Sequence, residues 1–114
     1  MPLLNIQTNR ETDAVQRTEL IKTASAAVAE LLGKPERYVM VSFTQNPDML
    51  FGGDDAPLAY LELKSIGLPG ERTSDISAAL CALMDSRLGI PKERVYIEFA
   101  DAARSMWGWN GGTF

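Results

Sequence analysis

The sequence of 114 residues contains no histidine and a single cysteine, Cys81, which lies inside an apolar helical pattern. Without histidine and with one thiol, the chain lacks the ligand sets that zinc requires. Its carboxylates are scattered and do not form a calcium loop. One cysteine forms neither an internal disulfide nor a CxxC redox centre, which fits a reducing compartment. We therefore expect no metal.

Basic clusters and long apolar runs are also missing. Lysine and arginine never form a run of three, and the net charge is -4, so nucleic-acid binding is disfavoured. No apolar stretch approaches the roughly 20 residues that span a bilayer, so no membrane association is expected. The N-terminus lacks the charged and apolar regions of a signal peptide. The expected location is the cytoplasm, and any export would proceed without a signal peptide.

The first residues carry one candidate catalytic group. Pro2 directly follows Met1 and begins an apolar, strand-like run to Gln7. If Met1 is removed, the chain begins with a secondary amine, the one titrating nitrogen here that can readily be neutral near pH 7. An α-amino group titrates at roughly pH 8, and burial or a nearby cation lowers that pKa. Many proteins begin Met-Pro without catalytic reason, so a general base at Pro2 depends on the rest of the chain.

A weak internal repeat divides the chain into two halves. A shift of 56 positions places Leu32-Gly33-Lys34-Pro35 on Leu88-Gly89-Ile90-Pro91. The pattern predicts a single domain, 1–114, with pseudo-repeats at 2–56 and 58–114.

Each half has the pattern of a β-α-β unit. Apolar stripes predict helices over 13–32 and 73–88, the first capped by Thr12 or Asp13 and the second by Thr73 or Ser74. Alternating and β-branched runs predict strands over 2–8, 38–43, 58–66 and 95–99. Right-handed crossovers make the strands within each unit parallel. The expected fold is α/β of the α+β type, with a four-stranded mixed sheet and two helices on one face.

Two features favour association with further copies. The sheet face without helices is expected to carry apolar residues, and another copy of the chain is the economical cover. The tail from Trp107 to Phe114 is rich in aromatic residues, and Asn110-Gly111 is a hairpin signal. We expect this ribbon to dock on a neighbouring subunit.

The chain resembles the macrophage migration inhibitory factor family of the tautomerase superfamily, essentially from end to end. The resemblance depends on a series of short motifs in order on the duplicated frame. These motifs are Met1-Pro2, Thr8-Asn9, Gly33-Lys34-Pro35 with Tyr38, Phe51-Gly52-Gly53, Ser65-Ile66-Gly67, Arg94-Val95-Tyr96-Ile97, and Gly108-Trp109-Asn110 with Thr113-Phe114.

The resemblance implies a homotrimer whose three sheets form a closed barrel. It also implies keto–enol tautomerisation of phenylpyruvate-type aromatic 2-keto acids, and isomerisation of dopachrome derivatives. No cofactor is used, and Pro2 is the base. Members of the family also act as cytokines, so a receptor becomes a partner if the protein is exported.

The resemblance further implies the substrate-binding residues. Lys34 and the backbone N–H of Ile66, with Ser65 beside it, would hold the substrate carboxylate, and Tyr96 would enter from an adjacent subunit. The substrate ring would lie among the remaining side chains, which are Tyr38, Met106, Trp107 and Phe114.

Structural roles compete with several of these assignments. Lys34 follows a helix, and its positive charge would be favourable at the C-terminal end of the helix dipole. Ile66 would equally pack in a core, and Tyr96 would equally pack from its strand onto a helix. The chain also departs from the mammalian pattern, with Glu98 in place of Asn and Trp107 in place of Val. Leu58 and Leu61 occupy the positions of the family's CxxC, so the thiol oxidoreductase activity proposed for that motif is not expected.

Two alternatives to the tautomerase remain open at this point. One is a secreted, cytokine-like signalling or binding protein with weak or residual activity. The other is hydration or decarboxylation of a small unsaturated acid on the same base. That chemistry often uses additional arginines near the proline, and the sequence offers only Lys34 and Arg37.

Overall fold

Four strands form one mixed sheet in the computed structural model, which describes residues 1–114. Their order is β2-β1-β3-β4. β1 runs parallel to β2 and antiparallel to β3, and β3 runs parallel to β4. The strands are β1 Leu3–Thr8, β2 Met40–Gln45, β3 Ala59–Ile66 and β4 Val95–Ala102. The predicted four-stranded mixed sheet is confirmed.

Two helices cover one face of this sheet: α1, Ala14–Leu32, and α2, Thr73–Leu88. In each helix every fourth residue is buried, which is the spacing that aligns side chains on one face. These residues join alternate residues of β1 and β3 in one hydrophobic core. The fully buried members include Leu4, Ile6, Leu20, Ala24, Val28, Leu61, Leu63, Ile76, Leu80 and Met84. The predicted placement of both helices on one face is confirmed.

The helix ends follow local rules at three of their four positions. Asp13 caps α1 by accepting a hydrogen bond from the backbone N–H of Gln16 at 2.7 Å. Gly33 and Gly89 end the two helices in the left-handed conformation, with φ of 62° and 66°. The predicted side-chain cap on α2 is wrong. A 3₁₀ turn, Gly70–Arg72, runs directly into α2, so Thr73 is already helical and its hydroxyl donates to the Gly70 carbonyl at 3.0 Å.

The elements of the two halves lie at matching positions. β1-α1-β2 and β3-α2-β4 each contain a 3₁₀ turn before the last strand, at Glu36–Tyr38 and Lys92–Arg94. Because Tyr38 belongs to the first of these turns, β2 begins at Met40 and not at the predicted residue 38.

The face of the sheet without helices has a polar middle row and carries exposed apolar residues at its two ends, Met40 and Tyr96, so the expectation of an apolar face is right only in part. Asn5, Glu62 and Glu98 lie in one row across β1, β3 and β4. Asn5 donates to Glu62 at 3.3 Å, and the Tyr60 hydroxyl donates to Glu98 at 2.6 Å. This hydrogen bond, together with lost hydration and the charge of Glu62, raises the pKa of Tyr60 to about 12. The strand alternation directs most of the large apolar residues to the helices.

The Thr8-Asn9 pair holds the end of β1 to the segment before β3. The Thr8 hydroxyl is buried, donates to the Leu58 carbonyl at 2.6 Å and accepts from the Arg10 N–H at 3.1 Å. The Asn9 side chain accepts from the Leu58 N–H at 3.0 Å and donates to the Asp55 carbonyl at 2.9 Å. This motif therefore has a structural role.

Arg94 holds the loop that precedes β3. Its guanidinium donates to four backbone carbonyls of one loop and lies 5.4 Å from the centre of the Phe51 ring. The four carbonyls belong to Phe51 at 3.4 Å, Asp54 at 3.0 Å, Ala56 at 2.9 Å and Pro57 at 3.0 Å. The Phe51 ring in turn lies 4.7 Å from the Tyr96 ring. One side chain thus fixes the loop against the start of β4.

Replacing Arg94 with methionine should lower the free energy of unfolding. Methionine keeps the length of the side chain but leaves the four carbonyls without their charged donor, at a cost of about 2–3 kcal/mol. Urea unfolding followed by circular dichroism measures the loss. Arg72→Met is the matched control, since Arg72 is exposed and its side chain has no partner. An equal loss in both variants would contradict the role of Arg94.

Candidate active site

A cavity of about 440 Å³ opens where β1 begins. Pro2 lies at its wall, with less than 2 % of its side chain exposed. The Pro2 carbonyl accepts from the Met40 N–H at 3.0 Å, which fixes the residue to the start of β2. The lining residues are Met1, Pro2, Leu3, Arg37, Tyr38, Val39, Met40, Trp107, Gly108, Trp109 and Phe114. The structure thus brings four predicted residues together: Pro2, Tyr38, Trp107 and Phe114.

Three aromatic rings form one wall of the cavity. Trp109 and Phe114 are stacked, with centroids 5.2 Å apart and planes inclined by 12°. Tyr38 meets both rings edge-on, at 5.7 Å and 6.0 Å. Edge and stacked geometries are the favoured ones for aromatic pairs. The wall offers a flat, apolar surface of the kind that binds a substrate ring.

The tail forms the predicted hairpin and packs on its own chain. β5, Gly108–Trp109, pairs with β6, Gly112–Thr113. Asn110 and Gly111 join them with φ of 53° and 79°, as a tight turn of the primed type requires. The Phe114 N–H donates to the Trp107 carbonyl at 3.2 Å. Within one chain the rings of this ribbon line the cavity, and docking of the ribbon on a neighbouring subunit stays a prediction.

The terminal amine lies beside this cavity. Met1 precedes Pro2 in the structure, so the Pro2 nitrogen is an amide and Met1 carries the amine. Burial lowers the pKa of that amine from its usual 8.0, and the nearby charges of Lys34 and Arg104 lower it further. The environment therefore favours a neutral nitrogen at this end of the chain.

The charged side chains identified around the cavity are cations. Arg37 is the one charged side chain in its lining, and its guanidinium carbon lies 4.7 Å from the Tyr38 ring centre. Lys34, half-buried after Gly33, lies outside the lining but close enough to affect the amine. Sequence reasoning missed Arg104. The position of Arg104 near the amine follows only from the folded tail. Trp109 was also missed, although the aromatic composition of the tail could have indicated it.

Ser65 and Ile66 lie at the same end of the sheet as Pro2 but outside the cavity lining. Extension of the β1–β3 register by one residue sets Ser65 opposite Pro2. Ser65 is fully buried, and its hydroxyl donates to the Ile66 carbonyl at 3.2 Å. The Ser65 hydroxyl is thus engaged within the chain, and its role as a substrate ligand stays a prediction, as does that of the Ile66 N–H.

Tyr96 and Met106 do not reach the cavity of their own chain. Tyr96 lies level with Gln7, five residues along β1 from Pro2. That separation is about 17 Å at roughly 3.4 Å per residue. Tyr96 is 67 % exposed and Met106 is 78 % exposed. A role for Tyr96 at Pro2 therefore requires a second copy of the chain.

The fold and the cavity define the class of protein. The chain is an α+β protein of two β-α-β units, with one aromatic cavity at the N-terminal end of an interior strand. The profile described as "Macrophage migration inhibitory factor (MIF)" matches residues 1–114. The chain belongs to this family, which is part of the tautomerase superfamily. That membership supports an isomerase.

Individual relatives agree over nearly the whole chain. A macrophage migration inhibitory factor homolog of Brugia malayi is 41% identical over 115 residues, covering 100% of this chain and 99% of its own. The crystal structure of a homologue from Prochlorococcus marinus is 45% identical, with a TM-score of 0.91 and 98% of each chain covered. The Toxoplasma gondii protein is 37% identical, with a TM-score of 0.92, covering 98% of this chain and 99% of its own.

Neither helix of the chain contains a stretch long and apolar enough to cross a bilayer.

Replacing Lys34 with glutamine should raise the pKa of the terminal amine. Loss of a nearby positive charge makes the protonated amine less unfavourable, so the amine keeps its proton to higher pH. The pKa should stay below 8.0, because burial, the larger cause, is unchanged. A titration of the terminal nitrogen by ¹⁵N NMR measures the change. Lys22→Gln, at an exposed position of α1, removes the same charge and should leave the pKa unchanged.

Proposed function

We propose that the protein is a cofactor-independent keto–enol tautomerase that acts on phenylpyruvate-type aromatic 2-keto acids, with Pro2 as general base. The observation that carries this proposal is the position of Pro2. It lies buried at the wall of an aromatic cavity, at the end of the chain where cations gather. In a chain without histidine, a secondary amine at this position is the best available base near pH 7.

The reaction requires removal of Met1, after which the Pro2 nitrogen becomes the terminal amine. The neutral amine takes a proton from C3 of the keto acid. The electrons of that C–H bond form the C2–C3 double bond, and the carbonyl oxygen takes up a proton from water to give the enol. The protonated Pro2 then releases its proton to water, which restores the neutral amine. In the reverse direction the protonated Pro2 returns the proton to C3. Burial and the neighbouring cations, which lower the pKa of the Met1 amine, would act in the same direction on the pKa of the Pro2 amine.

The cavity suits the two ends of such a substrate. Its aromatic wall of Tyr38, Trp109 and Phe114 offers stacking and edge contacts to the substrate ring. Lys34 and the Ile66 N–H would hold the carboxylate and orient C3 toward Pro2. Dopachrome derivatives combine a ring with a carboxyl function and are a second substrate class.

We further propose that the active form is a homotrimer. Tyr96 is too far from Pro2 to serve its own cavity. The exposed apolar residues near the outer strands lie at opposite edges of the sheet, with Met40 on β2, and Leu50 and Tyr96 at the β4 side. Different surfaces that meet head-to-tail form a ring where the rotation between copies closes, and the proposed ring contains three copies.

Replacing Pro2 with glycine should lower phenylpyruvate tautomerisation by about 100-fold or more, as expected for loss of a positioned base. The assay follows enol absorbance, after mass spectrometry has shown that Met1 is absent from both proteins. Insertion of one glycine between Met1 and Pro2 is the matched control. It keeps the proline ring but makes its nitrogen an amide, and it should be as inactive as Pro2→Gly.

Lack of activity in a wild-type protein from which Met1 has been removed would contradict the tautomerase proposal. The cytokine-like alternative would then lead, and receptor binding that survives loss of Pro2 would identify it. Full activity in the glycine-insertion variant would instead show that the Pro2 amine is not the base.

Subunit complementation tests the proposed role of Tyr96. Pro2→Gly and Tyr96→Ala chains, each weakly active alone, should recover activity when refolded together, because mixed trimers contain sites with an intact Pro2 and a neighbour's intact Tyr96. Light scattering should give three times the 12.5 kDa chain mass. A mixture that never exceeds the mean activity of its components would contradict action of Tyr96 across subunits.

A further inference from the structure

The tip of the terminal hairpin carries an exposed asparagine in an unusual backbone conformation. Asn110 is the one residue other than glycine with a positive φ, and it is the one asparagine that a glycine follows. Both Asn110 and Gly111 are exposed. The Asn110 side chain makes no hydrogen bond, and the Gly111 N–H, which lies in the turn between β5 and β6, donates to no carbonyl. The side-chain amide and the backbone nitrogen beside it are therefore both unengaged.

The other three asparagines lack this combination. The Asn5 amide donates to a glutamate at 3.3 Å, and the Asn9 amide both donates and accepts, at 2.9 Å and 3.0 Å. Asn46 accepts a hydrogen bond at 3.0 Å, and the residue after it is Pro47, which has no backbone N–H. Asn110 alone combines a free amide, a free N–H and a following residue without a Cβ, which allows close approach of the backbone.

We propose that Asn110 is a site of spontaneous deamidation, and that its isoaspartate product disrupts the aromatic wall of the Pro2 cavity. The Gly111 nitrogen gives up its proton and attacks Cγ of Asn110, which forms a C–N bond and closes a five-membered succinimide. The side-chain nitrogen takes up a proton and leaves as ammonia. One water molecule then opens the ring. Cleavage of the new bond gives aspartate, and cleavage of the original peptide bond gives isoaspartate.

The shortness of the hairpin makes this reaction accessible. β5 and β6 contain two residues each, and two paired positions hold them together. Hairpins of this size are marginal on their own, and segments with few contacts open locally in a folded protein. In the open state the Gly111 nitrogen is free to rotate toward the Asn110 amide. The same turn that completes the cavity is thus its chemically weakest point.

The two products differ in the length of the backbone. Aspartate followed by glycine suits the same tight turn as asparagine followed by glycine. Isoaspartate adds a methylene to the backbone between Trp109 and Gly112, which are paired across the turn. Because loop length fixes the register of a hairpin, the added methylene shifts Trp109 relative to β6. Trp109 then loses its stacking on Phe114, at 5.2 Å, and its edge contact with Tyr38, at 5.7 Å.

Incubation of the intact protein in warm, mildly alkaline buffer tests the proposal. Peptide mass mapping that separates aspartate from isoaspartate follows all four asparagines in one sample. Asn110 should be consumed first, and faster as the pH rises, because the attack requires loss of the Gly111 N–H proton. Near-UV circular dichroism reports the packing of aromatic side chains, and its signal should fall in proportion to the isoaspartate fraction. Neither measurement depends on catalysis, so the result is independent of the proposed function.

Two variants separate the added methylene from the added charge. Asn110→Gly cannot form the succinimide and suits the turn, so it should keep its near-UV signal after the same incubation. Asn110→Asp carries the charge of the product on a normal backbone, so the freshly folded variant should have the near-UV signal of the wild type.

Consumption of Asn110 no faster than that of the other three asparagines would overturn the proposed site. An isoaspartate fraction that leaves the near-UV signal unchanged would overturn its effect on the aromatic wall. Loss of the signal in freshly folded Asn110→Asp, or in incubated Asn110→Gly, would overturn the role of the added methylene.

Discussion

The pairing of β1 on both of its sides is the constraint on which the rest of the structure depends. β1 joins β2 in parallel and β3 in antiparallel register, so it links the two halves of the sheet. Chain termini usually fray unless they are held. Here the bond from the Met40 N–H to the Pro2 carbonyl continues the pairing to the second residue. The first residues thereby become a fixed wall of a cavity.

The two halves of the chain share one order of elements, and they differ at the residues of the proposed site. Gly33 and Gly89 end the two helices in the same conformation. The residues that follow them differ: Lys34 lies half-buried near the terminal amine, whereas Ile90 is fully buried in the core. The counterpart of Pro2 in the second half is Leu58, a buried residue inside the chain, which has no amine. The proposed chemistry therefore belongs to the half that begins the chain.

Features set by local chemistry could be predicted from the sequence, and features set by long-range contacts could not. The glycine ends of the helices and the Asn110-Gly111 hairpin follow from backbone conformation alone. The share of apolar residues on the face without helices was overestimated, because the apolar content of the strands was counted without assigning each residue to a face. Arg104 was not predicted, because its position depends on the packing of the hairpin against Tyr38. The family resemblance supplied Lys34 and Tyr96, which local rules would not select.

The polar face of the sheet limits how copies of this chain can associate. Glu62 and Glu98 lie side by side on β3 and β4 of that face. Glu62 is engaged by Asn5 and Lys64, and Glu98 is engaged by Tyr60. Transfer of these carboxylates into a dry interface would cost far more than such contacts return. A ring of copies with this face inward would therefore enclose water. The stability of such a ring would have to come from contacts between the strand edges and from the apolar residues beside them, Met40 and Tyr96. The same strand edges would bring a neighbour's Tyr96 to the Pro2 cavity.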